Sequence, residues 1–214
     1  MAAPTRRLAI AALAFSAALV APASAEWSPA EELGWASGPE DAPLTVIEYF
    51  TPTCSHCKEF AEDVMPIVEP DYIETGKARF IIREWLRNDL DKILMSQSRC
   101  LNQADGKAYL HDVFARQEDV LTAGAAGTIS ATLIEIGTPY GITDRAAFDA
   151  CHRDMNTRFD MLSVEESADL YDVHASPTFI VDGKAHAATV SMLTPEGFSA
   201  FLDAELAKVT PPTN

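Results

Sequence analysis

The sequence predicts an α/β protein in which a strand–helix–strand unit and a C-terminal hairpin are separated by a run of helices. Three stretches predict it. Residues 44–50 form a β-rich apolar run; apolar positions then recur at helical spacing (Phe60, Val64, Ile67, Val68) before a second strand-like run at residues 78–86. Residues 88–155 change character and carry helical periodicity. Near the C-terminus, apolar runs flank Asp182-Gly183, a strong short-range hairpin signal.

Taken in order, residues 1–25 read as a signal peptide. Arg6 and Arg7 form a basic start, residues 8–20 an apolar segment too short for a membrane span, and Ala23-Ser24-Ala25 a small-residue cleavage site. No cysteine sits at that site, so no lipid anchor is expected, and the mature chain is expected to be exported to a compartment where disulfides persist. Residues 26–43, with Pro29, Pro39 and Pro43, read as an arm with little regular structure.

Residues 44–87 make the first part of the α/β unit. The strand at 44–50 is apolar on both faces except at Glu48, as in a covered central strand. Pro66 is expected to kink the helix that follows, and Gly76 marks its end region. Two strands joined by one helix form a parallel pair. In residues 88–155, Asp89 is expected to cap a helix running to about Leu101, and residues 107–117 carry the next. The Gly/Ala run at 123–127 interrupts the pattern, residues 128–136 resume it, and Thr143 is expected to cap a segment holding Phe148 and Cys151. Residues 156–214 return to the sheet through a helix over 157–172, the sequence Ser176-Pro177-Thr178, the hairpin, and a helix opened by Pro195.

With 48% hydrophobic residues in 214, the chain can bury a sizeable core without disulfides. Its formal charge of −16 argues against nucleic acid or anionic lipid as partners. The four cysteines are too sparse for a disulfide scaffold and need separate explanations.

Cys54-Ser55-His56-Cys57 lies at a strand-to-helix junction, which puts the first sulfur near a helix N-terminus. Unsatisfied backbone N–H groups and the helix dipole favour a thiolate there. A zinc site would need two further ligands at suitable spacing, and Cys100 and Cys151 stand alone. His56 can stabilise the Cys54 thiolate by charge and hydrogen bonding, or fill an exposed position. Glu48 either lies buried, where a raised pKa would let it exchange a proton with Cys57, or points to water from an edge. Cys100 and Cys151 are expected to pair in an oxidising compartment as a structural disulfide, with redox regulation as the alternative. Adjacent helical residues point different ways, so Cys151-His152 is not a convincing dyad. His111, His174 and His186 are expected at the surface.

IEYFTPTCSHC at residues 47–57 and SPTFIVDGK at 176–184, in this order and around a helical insertion, resemble the DsbA-like branch of the thioredoxin superfamily over nearly all of residues 44–208. The resemblance implies a thioredoxin-like fold with a helical domain inserted. It implies Cys54 as the exposed nucleophile, Cys57 as the buried resolving thiol, Glu48 as the acid beneath the pair, and His56 as the histidine of the family's dipeptide. Pro177 would be the cis-proline facing the disulfide, with Ser176 beside it on the substrate-binding edge. Ser55 departs from the proline common in the motif, and Ser176 from the valine or threonine common before the cis-proline; both fall where the family tunes redox potential and substrate release.

The implied activity is introduction of disulfides into reduced, unfolded exported proteins in the periplasm. It would need no cofactor beyond the Cys54–Cys57 disulfide, and a DsbB-like membrane quinone reductase would reoxidise it. A reductase or isomerase would use the same site. A peptide-binding module, or a metal-handling one using Cys54, His56 and Cys57 as ligands, is the remaining alternative.

Overall fold

The computed structural model describes residues 33–209. The expected signal peptide and the first residues of the arm lie outside them. Among the described residues is a five-stranded sheet in the order β1-β3-β2-β4-β5. Strands β2 (Leu44–Phe50) and β3 (Ala78–Glu84) are parallel, with Glu48 opposite Ile82. β4 (Thr178–Val181) runs antiparallel to β2, with Glu48 opposite Phe179, and β5 (Lys184–Ala187) forms the edge beyond it. The turn between β4 and β5 has φ of 49° at Asp182 and 72° at Gly183, the two positive values of a tight hairpin that follows strand twist.

The arm departs from expectation. It holds β1 (Trp35–Ser37), antiparallel to β3 with Trp35 opposite Ile82. Three residues are too few to display alternation, and the strand exists because it pairs with the free edge of β3.

Alternation along β2 sends its side chains to two covered faces. Val46, with Phe80, Phe179 and Val181, packs on Phe60 and on Phe198 and Leu202 of α9 (Pro195–Val209). The Phe60, Phe179 and Phe198 rings lie 4.8–5.0 Å apart between centroids. Ile47, Tyr49, Ile81 and Ile180 occupy the opposite face against Val164 and Ala168 of α8 (Met155–Leu170). Glu48 therefore shares the face of Val46 and Phe50, under the helix that carries the cysteines.

That helix has three parts: α1 (Ser55–Glu59), a π-helical turn (Phe60–Val64) and α2 (Met65–Tyr72). The change of hydrogen-bond register lies just ahead of Pro66, rather than at it. Proline offers no N–H to the preceding turn, so the ladder re-registers before reaching it. Pro70 lies inside α2.

Between β3 and α8 run α3 (Asp89–Arg99), α4 (Gln103–Ala115), α5 (Gln117–Ala125), α6 (Ile129–Gly137) and α7 (Arg145–Arg153). Two caps fall one residue from expectation. Asn88, not Asp89, accepts from Asp91 N, and Asp144, not Thr143, accepts from Ala147 N; each cap residue is extended, as an N-cap must be. α5 also continues through Gly124, and the break comes at Gly127, with φ of 71°.

These helices enclose their own core of Leu94, Tyr109, Val113, Leu133, Ile136 and Phe148. A further cluster, in which Met95, Leu110 and Phe114 meet Phe50, Cys57 and Met161, joins them to the sheet. Arg99 crosses the same boundary. Its guanidinium pairs with the buried Glu84 carboxylate, donates to Leu33 O at 3.0 Å and lies 4.8 Å from the Trp35 ring centroid. Removing one partner of such a pair leaves a buried charge uncompensated.

Cys100 and Cys151 are bonded to each other, joining the ends of α3 and α7 across a sequence separation of 51. Closing a loop of that length lowers the entropy of the unfolded chain by the equivalent of at most ~4 kcal/mol. Replacing both cysteines with serine should therefore lower the denaturant midpoint by an amount equivalent to roughly 2–4 kcal/mol. An unchanged midpoint would show that the unfolded chain gains no freedom when the crosslink is removed.

Candidate active site

β2 ends at Phe50, and the chain turns through Thr51-Pro52-Thr53 before α1. Cys54 N donates to Thr51 O at 3.0 Å to close that turn. Cys54 is the N-cap of α1 (φ −87°, ψ 124°), so the first-turn N–H groups face its sulfur. The side chain is half-buried and Cys57 is fully buried, and both are free thiols.

Their environments push them apart. The Cys57 thiol donates to Cys54, and the backbone N–H groups of Cys57 and His56 also favour the Cys54 thiolate; together they outweigh partial burial and bring it down to about 5. Burial pushes the Cys57 thiol far above its ordinary range, and its hydrogen bond to Cys54 and the nearby Glu48 push it further. Burial likewise raises Glu48 to about 8, with the Cys54 charge adding to it. Glu48 is therefore an interior residue, not an edge one.

The Ser176–Pro177 peptide is cis and lies across from α1. Cys54 Sγ donates to Ser176 O at 3.5 Å. Ser176 Oγ is buried without another hydrogen-bond partner, and a hydroxyl so placed beside the sulfur favours the Cys54 thiolate.

His56 combines the two expected possibilities, an exposed ring and a charge interaction with Cys54. Its ring is exposed and Nδ1 lies 3.0 Å from Glu59 Oε2, so hydrogen bonding raises the imidazole pKa. What His56 gives Cys54 directly is its backbone N–H; the ring acts through space. Charge attraction between Glu59 and the ring one turn along the helix accounts for the orientation.

Sequence reasoning missed the groups that hold the active-site turn from the side. Thr53 Oγ1 donates to Asp91 Oδ1 at 2.8 Å, and Arg87 N donates to Asp91 Oδ2 at 3.1 Å. Gln117 Nε2 donates to Pro52 O at 2.9 Å and to Cys54 O at 3.0 Å. Asp91 and Gln117 lie far from the motif in sequence, and their only local signal is a polar residue on a face that turns out to be buried.

Below the cysteines, a cavity of about 290 Å³ reaches Glu48 between apolar walls that include Phe50, Ala61, Leu110 and Phe114, with the exposed Lys107 and His111 at its rim. It offers a path between the buried carboxyl and solvent. The other histidines stand away from the cysteine pair. His111 and His174 are exposed, His186 is partly buried against Phe201, and His152 lies 3.2 Å from Ser96 Oγ. Among the described residues, no group of three or more His, Cys, Asp or Glu side chains is placed to hold a metal ion, and no helix is long and apolar enough to cross a membrane.

A cysteine pair at the start of a helix, a buried acid beneath it and a cis-proline opposite define a thioredoxin-fold redox site. The chain belongs to the thioredoxin family, whose model matches residues 31–204. Its fold is similar to that of α-DsbA1 from Wolbachia pipientis (TM-score 0.69, 22% identity, 82% of this chain and 92% of that one). It is also similar to BdbD from Bacillus subtilis (TM-score 0.68, 17% identity, 83% and 95%). A Rickettsia bellii protein, provisionally named a protein-disulfide oxidoreductase, is 30% identical over 108 residues, covering 50% of this chain and 40% of that protein. The chain spans about half the length of the curated relatives it matches first.

Two pH dependences follow. Thiolate absorbance of the reduced protein should titrate with a midpoint near 5, and its stability over Cys54→Ser should grow from about pH 5 upward and level off in the ordinary thiol range. A midpoint near the ordinary ~8.5 would remove the activated thiolate.

Glu48 has the opposite sign. From about pH 4.5 to about 8 the folded state holds a proton that the unfolded state has released, so stability falls as pH rises through that window. Glu48→Gln should remove this fall, so its advantage over wild type should open between those values and stay constant above them. A pH-independent difference would mean that Glu48 is solvated.

Proposed function

We propose that this protein is an exported thiol–disulfide oxidoreductase that forms disulfides in reduced, unfolded polypeptides. The observation that carries the reading is the split between two thiols of one helical turn: Cys54 favours the thiolate, and Cys57 is buried and protonated. The fold shared with DsbA structures and the names of the relatives support it.

In the oxidised protein, a substrate thiolate attacks Cys54 Sγ. The Cys54–Cys57 bond breaks, a substrate–Cys54 bond forms, and the electron pair leaves on Cys57, which takes up a proton; Glu48 is the nearby acid that supplies it. A second substrate thiolate then attacks the substrate sulfur of the mixed disulfide and expels Cys54 as a thiolate. The substrate has lost two electrons and the Cys54–Cys57 pair has gained them. Stabilising the leaving Cys54 thiolate makes this direction downhill.

No cofactor beyond the cysteine pair enters the scheme. The site of action is the periplasm, on the strength of the N-terminal signal, and a DsbB-like membrane quinone reductase would restore the disulfide.

Equilibration with glutathione should give a reduction potential less negative than thioredoxin's ~−270 mV, and the protein should oxidise a reduced, unfolded polypeptide containing two cysteines. Alkylation trapping in cells should find Cys54 and Cys57 mainly as the disulfide. A potential at or below the thioredoxin value, with the pair kept reduced in cells, would assign a reductase or isomerase instead.

A further inference from the structure

We infer that Gln117 is a positioning residue for Cys54: through one side-chain amide, the inserted helices set the backbone frame on which the thiolate is held. The inference rests on the reading of Cys54 as the exchange nucleophile.

Gln117 opens α5 and is 5% exposed. Its Nε2 carries two hydrogens, and both are used, one on Pro52 O at 2.9 Å and one on Cys54 O at 3.0 Å. The second acceptor is the carbonyl of the nucleophile itself, and the first lies two residues before it. Cys54 O also accepts from Lys58 N at 3.2 Å, the bond that starts the helix. Gln117 thus joins the turn before α1 to its first helical bond.

The consequence lies in orientation. The Cys54 thiolate is favoured by hydrogen bonds, first from the Cys57 thiol, then from the backbone N–H of Cys57, the Ser176 hydroxyl and the backbone N–H of His56. Those groups face the sulfur only while Cys54 keeps its extended N-cap geometry, and such bonds weaken steeply as they bend. Pro52 has no N–H with which to brace the turn. Asp91 grips the same loop through Thr53 Oγ1 and the backbone N–H groups of Thr53 and Arg87, but a carboxylate accepts and so ties neither carbonyl. The acceptors of Gln117 do not change charge as sulfur passes between thiolate and disulfide, so the amide can hold one frame throughout the cycle.

The test compares two variants of the full protein. Gln117→Met keeps side-chain length and removes both donors. Leu133→Ala opens a cavity in the core of the inserted helices and touches no part of the turn. Gln117→Met should move the Cys54 titration midpoint up by about one pH unit, a tenfold loss of thiolate at acid pH, and shift the reduction potential about 30 mV more negative. Leu133→Ala should lose stability and leave both values in place.

If Gln117→Met is too unstable to titrate, Gln117→Asn, one methylene short of the carbonyls, should shift the midpoint in the same direction. An unmoved midpoint in the Gln117 variant, or an equal shift in Leu133→Ala, overturns the inference. Failure of the functional reading looks different: the wild-type protein itself would titrate as an ordinary thiol or would not oxidise a reduced polypeptide.

Discussion

Opposite solvation of two sulfurs one helical turn apart is the constraint on which the rest of the structure depends. Cys54 keeps partial contact with solvent and gathers hydrogen bonds, whereas Cys57 is shut away from water. A charge is costly where water is excluded and no partner replaces it. The difference between the thiols is therefore as sharp as the wall between their environments. The covered central strand builds that wall from below, with Phe50 and Glu48 on the face beneath α1. The Phe60, Phe179 and Phe198 rings fix the helix over the sheet.

The inserted helices complete the wall from the side. Their own core gives them a fixed shape, and Leu110, Phe114 and Met95 bring apolar surface onto Phe50 and Cys57. Polar ties, three of them at the active-site end, help to hold them in place. The Arg99–Glu84 pair fastens α3 to β3, Asp91 fastens the same helix to Thr53, and Gln117 fastens α5 to Pro52 and Cys54. A buried ion pair is weak evidence for stability but demanding in geometry, and all these ties converge on the ends of β2 and β3. The redox site is thus composite: sulfur and carboxyl come from the sheet unit, and the apolar cover and part of the backbone bracing come from the insertion.

Much of this was legible in the sequence. Cys54-Ser55-His56-Cys57 follows a strand and opens a helix, Asp182-Gly183 turns a hairpin, and Glu48 stands out as an acid in an apolar strand because strand periodicity is short and regular. The parts that stayed hidden depend on neighbours distant in sequence. β1 exists only against β3, and Asn88 displaces Asp89 as a cap because its backbone is extended there. The His56 ring turns to Glu59 rather than to sulfur. Gln117 read as the end of a helical segment because nothing around it in sequence marks a partner 63 residues away. Local patterns identify the reacting atoms; what orients them is carried by tertiary hydrogen bonds.

Electron and proton uptake are coupled by the same geometry. Burial is the larger reason that Glu48 holds its proton, and the Cys54 charge adds to it. In the disulfide form Cys54 carries no charge, so that second contribution is absent and Glu48 releases its proton more readily. Reduction restores the thiolate, and the proton affinity of Glu48 rises again. The carboxyl thus gives up its proton most readily while the disulfide is intact, the form in which Cys57 needs one on reduction in the proposed scheme, and holds it most firmly once the pair is reduced. A solvent-exposed acid would feel the sulfur charge only weakly, because water screens it. The apolar walls around Glu48 preserve the coupling, and Lys107 and His111 line the same cavity.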